Sequence, residues 1–541
     1  MNSLNRRTLL ALFSGTALAT GCRSIWGDSH LSGDVDQDPT PVIRHRWEPG
    51  KDADYKKKFI QAVTLLKAND TRQRPAGDPQ FNLSWNKILK IHQMSCQHKN
   101  WFLLPYHRLY LLYFESACQV VLDDPTFGIP YWDWTLDLEL PNEFYDAPAL
   151  QMVRSLEKGA RLNEAEVGRQ NIDKMLSIVD FEHFHSFPPL TIDSLPTQVE
   201  EGDFERTPHD SVHNGVGGKM SNPSDSPVDP IFWLHHSNID RLWGMWLSKH
   251  LDSVIPYLTL SVDERLHLAP GAKAWGETAV GLDINLQHPT PLVDVPGIPD
   301  LPQFKYSLAP VINRSSSNRS ARTEVLVKDL IASDKLPYLY DTDGGLNGGT
   351  VNAIAIASAQ QGANVRKPRI RAILSGVPKI STTLVTSTVS IDDVQKKSLH
   401  ERMARPNENS ASIYYTQLSI PLDETIRQNV RLYFFIAAPD KIGPLVQNIS
   451  DKSHLAPEFV GVLSFFPTNP AHQHGHGDPQ KTSGSIDITA WLALYLSRTV
   501  GKELTLLAAA VNIKDGFKPV PLFAINDKAE LNINLSLSDP L

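Results

Sequence analysis

His209 and His213 stand four residues apart, so a helix there would put both imidazoles on one face at neighbouring heights. That spacing lets two rings grip one metal ion, although such a pair alone is also an ordinary surface feature. Downstream, the stretch Asp229–Trp243 sets the doublet His235–His236 among Phe232, Trp233, Ile239 and Trp243. A helix of that composition is too apolar to be solvated. A buried imidazole needs a partner, and a metal is a good one. Upstream, His92, Cys96 and His98 lead into Trp-Phe-Leu-Leu-Pro-Tyr-His107. Pro105 does not fit mid-helix, so His98 falls in an approach loop and His107 in the first turn of a helix. His92 ends the preceding helix on its apolar face. The loop can then fold back and bring three rings to one point.

The elements that must hold these rings are legible as patterns. Ser84 can cap a helix in which Trp85, Ile88, Leu89 and His92 recur at helical spacing. Pro105 opens a helix to about Leu122, with His107, Leu111, Phe114 and Cys118 along one stripe. A third helix starts at His209 and is stopped by Gly215, Gly217 and Gly218; a fourth runs from Asp229-Pro230 to about Lys249.

Three runs together resemble the type 3 copper proteins, the family of tyrosinases and catechol (polyphenol) oxidases. They are His-Arg-x-Tyr-Leu-x-x-Phe-Glu from His107, the pair His209 and His213, and Asp-Pro-x-Phe-x-x-His-His-x-x-x-Asp-Arg-x-Trp from Asp229. Phe127 to Thr135 is similar to the family's linking segment, and the resemblance spans about residues 45–306. It implies two copper ions, one on His92, His98 and His107 and the other on His209, His213 and His236, the second member of its doublet. Phe232, His236, Asp240 and Trp243 share a helical face, which leaves His235 as a packed core ring and lets Asp240 steady a ligand. The resemblance further implies a thioether between Cys96 and His98, and a water held by Glu205 near the second copper. Asp210 occupies the position after His209 where efficient tyrosinases often carry Asn. It is expected to face the entering phenol or its water, favouring amine-bearing over carboxylate-bearing substrates.

The reaction implied is oxidation of o-diphenols to o-quinones with dioxygen as co-substrate, and hydroxylation of monophenols in addition. An o-aminophenol oxidase on the same site and a haemocyanin-like oxygen binder are the competing readings. The partners are small phenols or catechols.

The rest of the chain bounds these readings. At 541 residues it suggests two domains plus flanking segments, and a net charge of -8 without a basic stripe argues against nucleic acid. Three cysteines, Cys22, Cys96 and Cys118, exclude a disulfide scaffold. Residues 1–22 read as a bacterial export signal: Arg6-Arg7 of twin-arginine type, a short apolar run, and Ala19-Thr20-Gly21-Cys22, where Cys22 is a candidate lipid anchor. The product is expected in the periplasm or anchored to a membrane. The expected organisation is a mainly α, helical-bundle copper domain at 40–309, a Ser/Arg-rich linker at 310–322, and an all-β sandwich or jelly roll at 323–541. Strands are expected at Thr382–Ile391, Ser412–Ile420, Val430–Ala437, Phe459–Phe466, Leu504–Ile513 and Leu531–Leu537, with one helix at Ala490–Ser497. His472, His474 and His476 alternate with other residues and share a side of an extended chain, so metal capture there competes with a solvated loop. In some family members the C-terminal domain covers the coppers until it is cleaved, which makes the linker a candidate site of activation.

Overall fold

The computed structural model describes residues 41–186 (76, 77, 79, 81 and 82 excepted), 199–259, 275–282, 323–331 and 336–341. Further on it describes 370–375, 378–380, 384–390, 397, 413–420, 430–438, 441–450, 452–463, 482–487, 492, 503–520 and 532–538. The export signal, the linker, the 490–497 helix as a whole and His472, His474 and His476 lie outside these residues.

A helical body comes first. Helices α1 (Asp54–Asn69), α2 (Trp85–Ser95) and α3 (Leu103–Leu122) are followed by four short ones, α4 (Glu143–Asp146), α5 (Glu164–Val167), α6 (Arg169–Met175) and α7 (Phe181–His185). Then come α8 (Asp210–Val216), α9 (Ile231–Lys249) and α10 (Leu251–Thr259). Ser84 caps α2 from an extended conformation without a side-chain bond, and Pro105 lies in the first turn of α3, where its missing N–H costs nothing. Helix α3 is buried on nearly every face, as its unbroken apolar run requires. It packs on α9 through Phe114 and Trp233, stacked at 3.6 Å, with Trp85 of α2 edge-on to Trp233. Gly217 and Gly218 end α8 at φ +70° and +61°, a region that side chains disfavour, and a Cβ at Gly218 would meet Val153 O at 2.2 Å. No described helix is long and apolar enough to cross a membrane.

The body does not stop at the expected linker. Strands β3 (Ala279–Leu282) and β4 (Thr323–Leu326) pair antiparallel, and β5 (Tyr338–Tyr340) pairs parallel with β1 (Val42–Arg44). Val325, Leu330, Ile331, Tyr338 and Tyr340 belong to the same core as α3 and α9, so packing carries the helical body to about residue 341.

A buried polar network fixes this closure. Asp240 of α9 accepts from Arg108 Nε (2.5 Å), Arg44 Nη1 (3.2 Å), Tyr338 OH (2.6 Å) and Tyr340 OH (2.7 Å). Glu115 of α3 takes Arg44 Nε at 2.8 Å, and the Arg44 guanidinium lies over the Tyr338 ring. Asp240 was expected to steady a histidine; its hydrogen-bond partners here are these arginines and tyrosines, and they join β1, α3, α9 and β5.

The C-terminal region is β-rich, in two sheets. One runs β11 (Phe459–Leu463), β10 (Val430–Ala437), β13 (Glu503–Asn512), β8 (Leu384–Ser390), β7 (Pro378–Ile380), with β14 (Lys518–Pro519) also on β13. The other runs β2 (Val199–Glu200), β12 (Thr482–Asp487), β9 (Ile413–Ile420), β15 (Asn532–Ser538), β6 (Ile370–Ser375). The six expected strands appear within a few residues of their expected bounds. The edge strand β2 comes from the helical body.

Candidate metal centre

Two groups of histidines meet between α2, α3, α8 and α9. His92, His98 and His107 form one, and His209, His213, His235 and His236 the other, with ligand atoms within 4.8 Å of one another in each group. They abut: the His107 and His236 rings stack at 4.1 Å, and His98 lies 5.8 Å from His209 between centroids. Phe232 packs against His92, His107, His213 and His236, an apolar wedge shared by both groups.

The hydrogen bonds decide which nitrogen of each ring is available. His107 Nδ1 is 2.8 Å from Leu103 O, and His213 Nδ1 is 2.8 Å from Met220 O. A carbonyl only accepts, so each ring carries its proton on Nδ1 and presents a bare Nε2. His209 Nδ1 is 2.8 Å from Asp210 Oδ1, with the same consequence when Asp210 is ionised. The Nε2 atoms of His107 and His213 each face the Nε2 of a second ring. His92 Nε2 and His107 Nε2 are 3.2 Å apart, and His213 Nε2 and His236 Nε2 are 3.1 Å apart. Lone pairs so close repel unless a proton or cation lies between them. Burial lowers the proton affinity of these rings, His107 to about 4 and His213 to about 3. His209 and His236 are held well below the usual value, by burial first and then by neighbouring imidazoles. Neutral, convergent, water-excluded imidazoles are what a transition-metal ion takes.

His235 differs from the rest. Its Nδ1 accepts from the indole N–H of Trp134 at 3.2 Å, and an indole only donates. In its neutral form the proton must therefore sit on Nε2, which closes that nitrogen to a metal. Trp134 was the missing signal; it lies in the linking segment Phe127–Thr135, but nothing in the sequence tells which ring it meets.

Glu205, Asp210 and Glu201 are buried together beside the second group, with their oxygens within 4.8 Å of one another. Glu205 Oε1 accepts from Lys99 N at 2.6 Å and Oε2 from Ser186 Oγ at 3.0 Å. Burial, then the neighbouring Glu201, pushes its carboxyl up to about 8. Asp210 is fully buried and turned to the ring of His209. The carboxylate expected to face an entering phenol is thus a partner of the histidine before it. Glu201 stands four residues before Glu205, a spacing that could have pointed to it. Cys96 is buried at the end of α2, and burial pushes its thiol up to about 12. His185, absent from the sequence reading, is a core ring that accepts from Trp243 Nε1 at 2.7 Å.

The common central domain of tyrosinase matches residues 82–174 and 157–249, the stretch that carries every histidine of both groups. Over these residues the chain is similar to the tyrosinase family. A tyrosinase of Hahella sp. (strain CCB-MM4) is 30% identical over 178 residues, which are 28% of this chain and 38% of that protein. The chloroplastic (+)-larreatricin hydroxylase of Larrea tridentata is 28% identical over 255 residues, 39% of this chain and 42% of the other. The chain thus spans about two fifths of the length of these relatives. In fold it is similar to latent aurone synthase (polyphenol oxidase), with a TM-score of 0.56 at 16% identity over 95% of this chain and 92% of that one. Latent apple tyrosinase gives 0.55 at 18% identity, over 95% of this chain and 100% of the other. Tyrosinase-family proteins are binuclear copper proteins, and the donor set of these residues fits two such ions.

Proposed function

We propose that the chain is a binuclear copper oxidase that converts o-diphenols to o-quinones at the expense of dioxygen. His92, His98 and His107 hold one copper; His209, His213 and His236 hold the other. One observation carries this reading: two histidine groups, all but His98 buried, that meet in the stacked rings of His107 and His236, with the Nδ1 atoms of His107, His209 and His213 tied to acceptors so that Nε2 is left for metal. When bound, the copper pair supplies one-electron steps that let two o-diphenols reduce one dioxygen to two waters.

The residues of the chain do the rest. Asp210 and the carbonyls of Leu103 and Met220 fix ring orientation and keep protons off the ligand nitrogens. Phe232 excludes water between the groups. Glu205 is the carboxyl that holds a water beside the second trio, and any hydroxylation of monophenols draws on it. Cys96 bonds to His98 as a thioether, with the two hydrogens lost in that coupling passing to dioxygen. The two C-terminal sheets stack as a sandwich. Residues 1–22 direct export, with Cys22 as an anchor.

The test gives copper-loaded protein catechol, tyrosine, tyramine and 2-aminophenol side by side. Fastest turnover of catechol supports the reading. Turnover of 2-aminophenol alone would make the chain an aminophenol oxidase, and reversible oxygen binding without turnover would make it a carrier. A peptide joining Cys96 to His98, two hydrogens lighter than its parts, tests the thioether by mass spectrometry.

A further inference from the structure

The segment from Val199 to His209 carries Glu201, Asp203, Glu205 and Arg206 and ends on a ring of the second group. Its start is strand β2, which pairs parallel with β12, Val199 opposite Thr482 and Glu200 opposite Ser483. Its end is a π-helical turn, Glu205–His209, interrupted by Pro208 and by Thr207, whose φ of -149° and ψ of 103° are extended rather than helical. One backbone bond spans the turn, Asp210 N–H to Glu205 O, with the extended Thr207 between its ends. Thr207 finds its anchor outside the segment: its Oγ1 donates to Val462 O of β11 at 3.2 Å, and the residue is buried. The two ends are therefore held by two different sheets of the C-terminal region.

The contacts around this anchor are built for permanence. Asn163 Nδ2 donates to Tyr433 OH at 2.7 Å, Lys174 donates to Val460 O, and Arg431 of β10 pairs with Glu166 of α5, both wholly buried. Inside the segment, Gly202 lies so close to α7 that a Cβ would meet Ser186 N at 2.3 Å, and Glu205 reaches Lys99 N beside His98. Movement of the turn would thus displace His209 directly and loosen the carboxyl beside it. Ligands must be held to roughly 0.5 Å for a metal site to keep its geometry.

We propose that the C-terminal sheets are a structural part of the second metal site, with Thr207 as the positioning residue through which β11 holds His209. A removable cover would leave copper content unchanged when loosened; a support would not. The inference rests on the reading that the second trio holds copper.

The experiment compares full-length, copper-loaded wild type, Thr207→Val and Thr207→Ser during dialysis against a copper chelator, counting copper per chain with time. Thr207→Val should release one of its two coppers about fivefold to tenfold faster than wild type, the effect of one lost hydrogen bond. The other copper should leave at the wild-type rate, and Thr207→Ser should return the faster one to the wild-type rate. Unfolding midpoints of the copper-free proteins should lie close together. Thr207→Ala replaces Thr207→Val if the latter is not recovered folded. Release of both coppers together, or of neither faster than wild type, overturns the proposal. A wild type that holds fewer than two coppers overturns the binuclear reading itself, and the proposal with it.

Discussion

The adjacent rings of His235 and His236 are separated by the chemistry of one hydrogen bond. The Trp134 N–H donates to His235 and so puts that ring's proton on Nε2, whereas His236 turns its Nε2 to His213. His235→Gln, which can still accept from Trp134, should keep two coppers per chain. His236→Gln should keep one and lose turnover. Equal copper loss in both would mean that the doublet shares the site. Asp210 follows the same logic. Because its carboxyl is turned to His209, Asp210→Leu, which removes the acceptor, should weaken the second copper about 10- to 100-fold, the usual effect of losing an outer partner of a ligand histidine. The preference between amine- and acid-bearing phenols should stay as in wild type; a large change in that preference would return Asp210 to the substrate.

The carboxyl of Glu205 adds a pH dependence to the copper-free protein. A carboxyl at about 8 in the folded chain, against an ordinary value of about 4.5, binds a proton that the unfolded chain has already given up between those limits. The folded state then binds more protons, so its stability falls as pH rises from about 4.5 through 8. The depressed buried histidines oppose this below about 6.5, so melting of the copper-free protein should show the decline between about 6.5 and 8, and Glu205→Gln should flatten it. An unchanged slope in the variant would place the proton elsewhere.

The helices that carry the ligands are the most legible elements, because each is long, apolar on the inner face and marked at its ends. α2, α3 and α9 are foreshadowed by Ser84, Pro105 and Pro230, and the glycines after α8 by their need for positive φ. The turn before α8 was not legible: the helix was expected to start at His209, whereas the chain builds a π turn from Glu205 and sets an extended residue within it. Nor were β1, β2 and β5, since two or three residues carry no periodicity. What positions them is long-range, as with the four donors on Asp240 from residues 44, 108, 338 and 340. Asp240→Asn should leave two arginines short of a buried countercharge and destabilise the fold by about 3–5 kcal/mol. Chemical denaturation of the copper-free chain measures this, and a loss under about 1 kcal/mol would mean that the network contributes little.

At the scale of the whole chain, the expected linker at 310–322 precedes β4 and β5, and both pack into the helical body. A cut between Asn313 and Arg322 should therefore leave fragments that co-elute in native buffer and part only in denaturant. Release of the C-terminal fragment without denaturant would show that β5 and the Asp240 contacts do not hold. The central claim, that two histidine trios hold coppers that pass electrons from catechols to dioxygen, is tested most directly with an oxygen electrode. Copper-loaded protein should consume one dioxygen for every two catechols oxidised, stop when copper is stripped, and resume when two coppers per chain are restored. Oxygen uptake that survives stripping, or two bound coppers with no uptake on any o-diphenol, would contradict it.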